Sequence, residues 1–200
     1  MTGGRMNKSE LRKKFSAFRT SLPQTEKSSL DQQITENILC SSAFAKCDTL
    51  FTFISTDREI STRFLIESAW ERCKKVAVPR CTDNGFELEF FYLSSWDQLQ
   101  SGKYGILEPI RDLSLSAIQT GDSLCIVPAF CYDNRGYRVG YGKGYYDRFL
   151  NSFSGCAMGV CYSECLTEYV PNDEYDMAVD IVVTENATIN IDKQHLILLS

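Results

Sequence analysis

Between Tyr137 and Phe149 the chain reads YRVGYGKGYYDRF. Gly140, Gly142 and Gly144 alternate with Tyr141 and Lys143, and Arg138, Asp147 and Arg148 stand close on either side. Glycines permit backbone conformations in which successive N–H groups converge on an anion, and they let that anion approach the main chain. Arg138, Lys143 and Arg148 add cationic donors, so phosphate is the guest that this composition suits. The spacing matches neither common phosphate loop. G-x-x-x-x-G-K-[ST] fails because Gly144 follows Lys143, and G-x-G-x-x-G fails because Tyr145 stands where the third glycine belongs. A second reading stays open, in which the glycines form a turn capping a helix and Asp147 is a first-turn acid favoured by the helix dipole.

The rest of the composition removes other chemistries. The only histidine is His195, five residues from the C-terminus, so a Ser-His-Asp or Cys-His centre would have to use it and histidine-rich metal sites are excluded. Nine cysteines at irregular spacing, with no C-x-x-C pair among Cys156, Cys161 and Cys165, read as reduced core thiols. A net charge of -5 weighs against a dedicated nucleic-acid binder. No apolar run approaches the ~18 residues that a membrane helix needs. Arg5, Lys8, Arg12, Lys13, Lys14 and Arg19, against the single acid Glu10, leave a mitochondrial transit peptide as an alternative to a cytoplasmic protein.

Positioning such a loop requires a scaffold, and the patterning supplies one. Leu11, Phe15, Phe18 and Leu22 recur at helical spacing from Asn7 to Ser21, and Pro23 then opens a second helix carrying Leu30, Ile34 and Ile38 toward Ser41. Thr49–Ser55 reads as a buried strand, followed by a helix over Thr62–Cys73 and a strand over Lys75–Pro79. A turn at Asp83-Asn84-Gly85 introduces a hairpin strand over Phe86–Leu93. Ser123–Val127 is another buried strand, Gly144–Asn151 a helix beyond the glycine loop, and CAMGVCY and DIVVT complete the strands. Strands alternating with helices predict an α/β fold: a single domain over residues 6–200, with a largely parallel sheet flanked by helices and an N-terminal helical pair. Residues 1–5 read as a tag or a dispensable extension. In such sheets ligands bind beyond the carboxyl ends of the strands, which is where the glycine loop is expected.

The stretch VPAFCYDNRGYRVGYGKGYYDRFL, Val127 to Leu150, resembles the signature of the 5-formyltetrahydrofolate cyclo-ligase family. The similarity extends to KSELRKKF at Lys8–Phe15, FISTDREIST at Phe53–Thr62, VAVPR at Val76–Arg80, GILEP at Gly105–Pro109 and DMAVDIVVTE at Asp176–Glu185. The resemblance implies an ATP-dependent ring closure of 5-formyltetrahydrofolate to 5,10-methenyltetrahydrofolate, with Mg2+ as cofactor. Its partners would be the folate and ATP, with no nucleic acid and no membrane, and the protein a monomer. The implied nucleotide contacts are Lys8, Arg12, Arg138, Gly140, Gly142, Lys143, Gly144, Tyr145 and Tyr146. The implied folate contacts are Ile54, Glu59, Tyr141, Gly142, Lys143, Gly144 and Tyr145, with Glu59 the carboxylate that recognises the pterin. Asp147 and Asp180 match the magnesium positions, and Lys143, Arg138 and Tyr145 the catalytic ones.

Several assignments have a plainer counterpart. Lys8 and Arg12, at i and i+4, would form a solvated basic face, Tyr145 and Tyr146 would be core aromatics, and Glu59 a surface acid. Tyr175-Asp176 departs from the His-Asp frequent in the family, so no imidazole stands at that position. Two other functions stay open: a regulator that binds nucleotide on the same fold without catalysis, and an RNA-associated module using the basic N-terminal helix.

Overall fold

Asn7 starts the first helix by accepting the Ser9 and Glu10 N–H groups at 2.9 and 3.0 Å, while the Glu10 carboxylate accepts the Asn7 N–H at 2.8 Å. This reciprocal cap satisfies donors that the first turn leaves without partners. The computed structural model describes residues 5–82, 87–102 and 105–192. Helix α1 runs Lys8–Ser21 and buries Leu11, Phe15 and Arg19, an i, i+4, i+8 stripe. The sequence pattern anticipates the first two members. The third is a cation whose Nη2 donates to the Ala129 and Phe130 carbonyls.

Pro23 caps α2 (Gln24–Leu39), as its fixed φ allows, and a short α3 (Ser42–Lys46) follows behind the Ser41 cap. Strand β1 covers only Thr49–Phe51, helix α4 Arg63–Glu71, and strand β2 Lys75–Cys81. The expected strand to Ser55 stops early because Phe53 and Ser55 turn to bond Thr62. The Thr62 hydroxyl donates to Phe53 O at 2.7 Å, and its N–H donates to Ser55 Oγ at 3.1 Å. Strand β3 (Leu88–Tyr92) runs antiparallel to β2, and the expected turn at Asp83-Asn84-Gly85 lies outside the described residues, as does His195. Strands β4 (Leu99–Ser101) and β5 (Leu107–Pro109) form a separate hairpin that the sequence pattern does not reveal.

Strand β6 (Ser123–Pro128) enters the sheet centre and leads to β7 (Cys131–Asp133) and β8 (Arg138–Val139). Helix α5 (Tyr145–Asn151), β9 (Cys156–Val160), β10 (Leu166–Thr167), β11 (Ile181–Val183) and β12 (Thr188–Asn190) complete the chain. The main sheet has the order β12-β11-β9-β6-β1-β2-β3. Its five inner strands are parallel, and β3 and β12 close the edges antiparallel. The inner strands are almost continuously apolar and buried, as a parallel sheet covered by helices requires. Phe149 and Phe153 seat α5 against Phe51 and Phe90 at ring distances of 4.5 to 6.0 Å. Among the described residues, no helix is long and apolar enough to cross a membrane and no disulfide joins the nine cysteines.

A second, small sheet of order β10-β7-β8 rises from the carboxyl end of β6. Buried Asp133 shapes its turn, accepting from the Arg135, Tyr137 and Val170 N–H groups at 3.0 to 3.1 Å. The glycine loop therefore leaves β8 of this small sheet, not a strand of the main one, before α5 carries the chain to β9. The sequence pattern places a strand ahead of the loop without distinguishing the two sheets.

Candidate active site

Arg138 reaches the loop from β8 and is only 7% exposed. Its Nη1 donates to Met177 O at 2.6 Å and its Nη2 to Asp147 Oδ1 at 2.7 Å, while the same oxygen accepts the Met177 N–H at 3.1 Å. One guanidinium thus ties β8, the first turn of α5 and the segment before β11 into one wall. A planar fork with several fixed donors is suited to this, and a point-charge ammonium is not.

Gly142 has φ +86° and Gly144 φ +66°, the left-handed conformations that side chains resist. Gly144 is also the residue from which α5 starts. A methyl group added at Gly142 would lie 3.2 Å from Arg12 Nη2, so the guanidinium rests against the loop backbone. Arg12 Nε donates to Gly140 O at 2.7 Å. Lys8, one turn earlier on α1, is gripped by both Asp176 oxygens at 2.6 and 2.8 Å. The helix face expected to carry cations is thus turned onto the loop and its surroundings, and Arg19 is buried. Lys143 is exposed at the loop tip, and its carbonyl accepts from Arg148 Nη2 at 2.8 Å.

These groups border a cavity of about 860 Å³, lined by Lys8, Arg12, Arg138, the whole loop from Gly140 to Gly144, and Tyr145 to Arg148. Tyr146 packs its ring against the core, and its buried hydroxyl has no hydrogen-bond partner among the described residues. Burial holds that phenol well above its ordinary pKa. Tyr145 is half-buried, with Arg148 5.6 Å from its ring centroid.

The other expected residues fall into two groups. Glu59 lies between β1 and α4, 8% exposed, with Oε2 accepting the Thr56 N–H and hydroxyl, both at 2.9 Å. Its Oε1 accepts the Tyr141 hydroxyl at 2.7 Å, which brings the glycine loop and this carboxylate together across 82 residues of sequence. Enclosure of its hydroxyl, then the charge of Glu59, raise the Tyr141 phenol well above its usual pKa although the ring is half exposed, so it stays a donor. Ile54 lines a second cavity of about 660 Å³, beside α2 and Thr56.

Asp180 is placed by the main sheet. It precedes β11, and its Oδ2 accepts the Ala157 N–H of β9 at 2.7 Å. It does not line the larger cavity, whereas Asp147 does.

Sequence reasoning misses several residues that build the site, including Thr56, Asp133, Asp176 as the partner of Lys8, and buried Asp31. Asp31 accepts Lys27 Nζ at 2.6 Å, the Tyr162 hydroxyl at 2.7 Å and the Ser61 N–H at 3.1 Å, which fixes the loop carrying Glu59 to α2. Only the Lys27–Asp31 spacing of four left a local signal, that of an ion pair along a helix.

The model of the 5-formyltetrahydrofolate cyclo-ligase family matches residues 5–185. A curated relative, the 5-formyltetrahydrofolate cyclo-ligase of Mus musculus, is 34% identical over 83 residues, 38% of this chain and 41% of that protein. The chain spans about half or less of the length of the curated relatives it matches. Among solved structures, the 5,10-methenyltetrahydrofolate synthetase of Aquifex aeolicus superposes with a TM-score of 0.80 at 31% identity, covering 93% of each chain. The fold is shared as well with the 5,10-methenyltetrahydrofolate synthetase of Mycoplasma pneumoniae, at TM-score 0.73 and 21% identity over 90% of this chain and 99% of that one. With a family model spanning its scaffold, its glycine loop and both walls of its larger cavity, this chain belongs to the 5-formyltetrahydrofolate cyclo-ligase family.

Proposed function

We propose that this chain closes 5-formyltetrahydrofolate to 5,10-methenyltetrahydrofolate with consumption of ATP. The γ-phosphoryl group passes to the formyl oxygen, N10 attacks the activated carbon, and phosphate leaves, so ATP ends as ADP and the oxygen departs on phosphate. The observation that carries this reading is one loop touching two kinds of partner. Lys8, Arg12, Arg138 and Lys143 surround or belong to it, and its Tyr141 reaches the buried Glu59 carboxylate.

Phosphoryl transfer depends on positioning and on stabilising charge spread over the moving group. Arg138 fixes the loop and Arg12 braces its backbone. Lys143, exposed and flanked by two glycines, is placed to follow the phosphoryl group, with Tyr145 beside it. Lys8, Gly140, Gly142, Gly144 and Tyr146 complete the nucleotide wall, and Ile54, Glu59 and Tyr141 the folate side.

Magnesium would be held through Asp147. Its Oδ1 is committed to Arg138 and Met177, while Oδ2 has no hydrogen-bond partner among the described residues. Magnesium keeps waters and takes the rest of its shell from nucleotide oxygens, so one carboxylate oxygen at the cavity wall fits it. When bound, the ion would neutralise phosphate charge. Asp180, engaged on Ala157, would contribute from farther out.

Methenyltetrahydrofolate formation, followed by its absorbance with ATP and magnesium present, tests the proposal. ADP release that requires 5-formyltetrahydrofolate supports it. ATP binding without turnover would favour a regulator on the same fold.

A further inference from the structure

The turn that carries Glu59 is closed twice, by the Glu59 N–H donating to Thr56 O at 3.0 Å and by Thr56 donating its own N–H and hydroxyl to Glu59 Oε2. The two carboxylate oxygens are therefore unequal. Oε2 holds two donors from its own turn. Among the described residues, Oε1 holds a single donor, the Tyr141 hydroxyl, which arrives from a glycine-flanked position on another loop. Tyr141 is 55% exposed although its hydroxyl is engaged, and its ring leans on Phe130 at 4.8 Å, so it has open space to swing into.

We propose that Thr56 is a positioning residue that reserves Glu59 Oε2 for the protein and presents Oε1 to the ligand, and that a ring or amino N–H of the folate takes the place of the Tyr141 hydroxyl there. The inference rests on the folate reading of Glu59 above and refines it. Instead of a carboxylate open at both oxygens, the site offers one oxygen aimed by Thr56.

The exchange is chemically balanced. A buried carboxylate oxygen left without a donor is costly, so Oε1 needs one whether or not ligand is present. Tyr141 supplies it in the empty site, and the ligand N–H supplies it in the filled one. Because one hydrogen bond to a charged acceptor replaces another, the exchange is favourable only when Oε1 is well aimed at the ligand donor, and it selects for ligands that carry one. A ligand lacking the donor would have to leave Oε1 bare or leave Tyr141 in place. The displaced tyrosine lies between Gly140 and Gly142, so its release frees the phosphate loop from the Glu59 turn.

The test is equilibrium binding of 5-formyltetrahydrofolate and, separately, ADP to the full chain by titration calorimetry. Thr56 is exposed, so Thr56→Val removes the hydroxyl donor at constant shape without opening the core. We expect Thr56→Val to weaken folate binding about tenfold, because a carboxylate no longer held by the hydroxyl at Oε2 meets the ligand N–H in poorer geometry. Thr56→Ser should restore it, ADP affinity should not change in either variant, and kcat at saturating folate should hold. In stopped-flow mixing, Tyr141→Phe should speed folate association, since no bond need break before the ligand reaches Oε1. Unchanged folate affinity in Thr56→Val, parallel loss of ADP affinity, or slower association in Tyr141→Phe overturns the inference. Wild-type protein that binds ADP but not 5-formyltetrahydrofolate overturns the functional reading along with it.

Discussion

Arg138 and Asp147 meet at 2.7 Å, one from a two-residue strand of the small sheet and the other from the first turn of α5. The arginine side chain is 5% exposed and the aspartate 25%, so most of the pair lies away from water. The same guanidinium holds Met177 O. Removing one partner of a buried pair leaves the other charge without compensation, which costs more than the pair contributes when whole.

Arg138→Met is therefore expected to lower stability by about 3 kcal/mol and to loosen the loop at its root. Arg138→Lys keeps the charge but cannot serve Met177 O and Asp147 with one planar fork, so it should fall between. Urea denaturation gives the stabilities and ATP titration the loop's competence. Equal stability of Arg138→Lys and wild type would show that the fork geometry is immaterial.

The two acids matched to magnesium are held differently, and the difference separates their variants. Asp147→Asn should raise the magnesium concentration needed for turnover, because a hard ion loses an anionic oxygen at the cavity wall. Asp180→Asn turns an acceptor on Ala157 N–H into a weaker one, so it should lower the melting temperature and shift the magnesium requirement less. Magnesium titrations alongside melting curves distinguish them, and the reverse order would place Asp180 at the ion.

The legible parts of the sequence were those with local physics. Leu11 and Phe15 at i, i+4 marked the face of α1, and the alternating glycines marked a loop that needs positive φ at Gly142 and Gly144. Strands β1, β2, β6, β9 and β11 showed as short runs of β-branched and apolar residues. Strands β7, β8 and β10, of two or three residues and set in no longer apolar run, carry too few positions for any pattern. The partners of the site residues were hidden for another reason. Lys8 and Asp176 are 168 positions apart and Glu59 and Tyr141 are 82 apart, so only the assembled sheet brings them together. The resemblance to the family named Glu59 and Tyr141 but could not show that they bond each other.

Buried thiols give a pH-dependent test of the core. Burial raises the Cys165 thiol to about 11 and that of Cys131 to about 12, from 9.0. For an acid whose folded pKa is raised, the stabilising contribution is complete below the unfolded value and fades as pH climbs through the folded one. Denaturation midpoints are thus expected to fall between pH 9 and about 11. At pH 8, alkylation mapped by mass spectrometry should label exposed Cys40 and Cys73 first, with Cys131, Cys161 and Cys165 protected until denaturant is added. Early labelling of Cys165 would contradict its burial.

Lys143 provides the sharpest test of the loop's chemistry. Gly142 and Gly144 on either side leave its backbone little restrained by neighbouring side chains, and it stands exposed at the cavity while Arg138, Arg12 and Lys8 are each tied to protein oxygens. A cation free to move can follow charge onto a transferring phosphoryl group, whereas tied cations would shape the ground-state site in the proposed reaction. If Lys143 acts chiefly in the transition state, Lys143→Met should lower kcat by about a hundredfold, or ~2.7 kcal/mol, a typical loss for one stabilising group. ATP affinity should fall much less, because the three tied cations and the loop N–H groups remain. Single-turnover kinetics at saturating ATP and folate isolate the chemical step from binding and release. Wild-type rates in that experiment would make Lys143 a solvated loop cation and move the catalytic charge to Arg138, whereas a rise in KM for ATP with kcat intact would make it a ground-state binder.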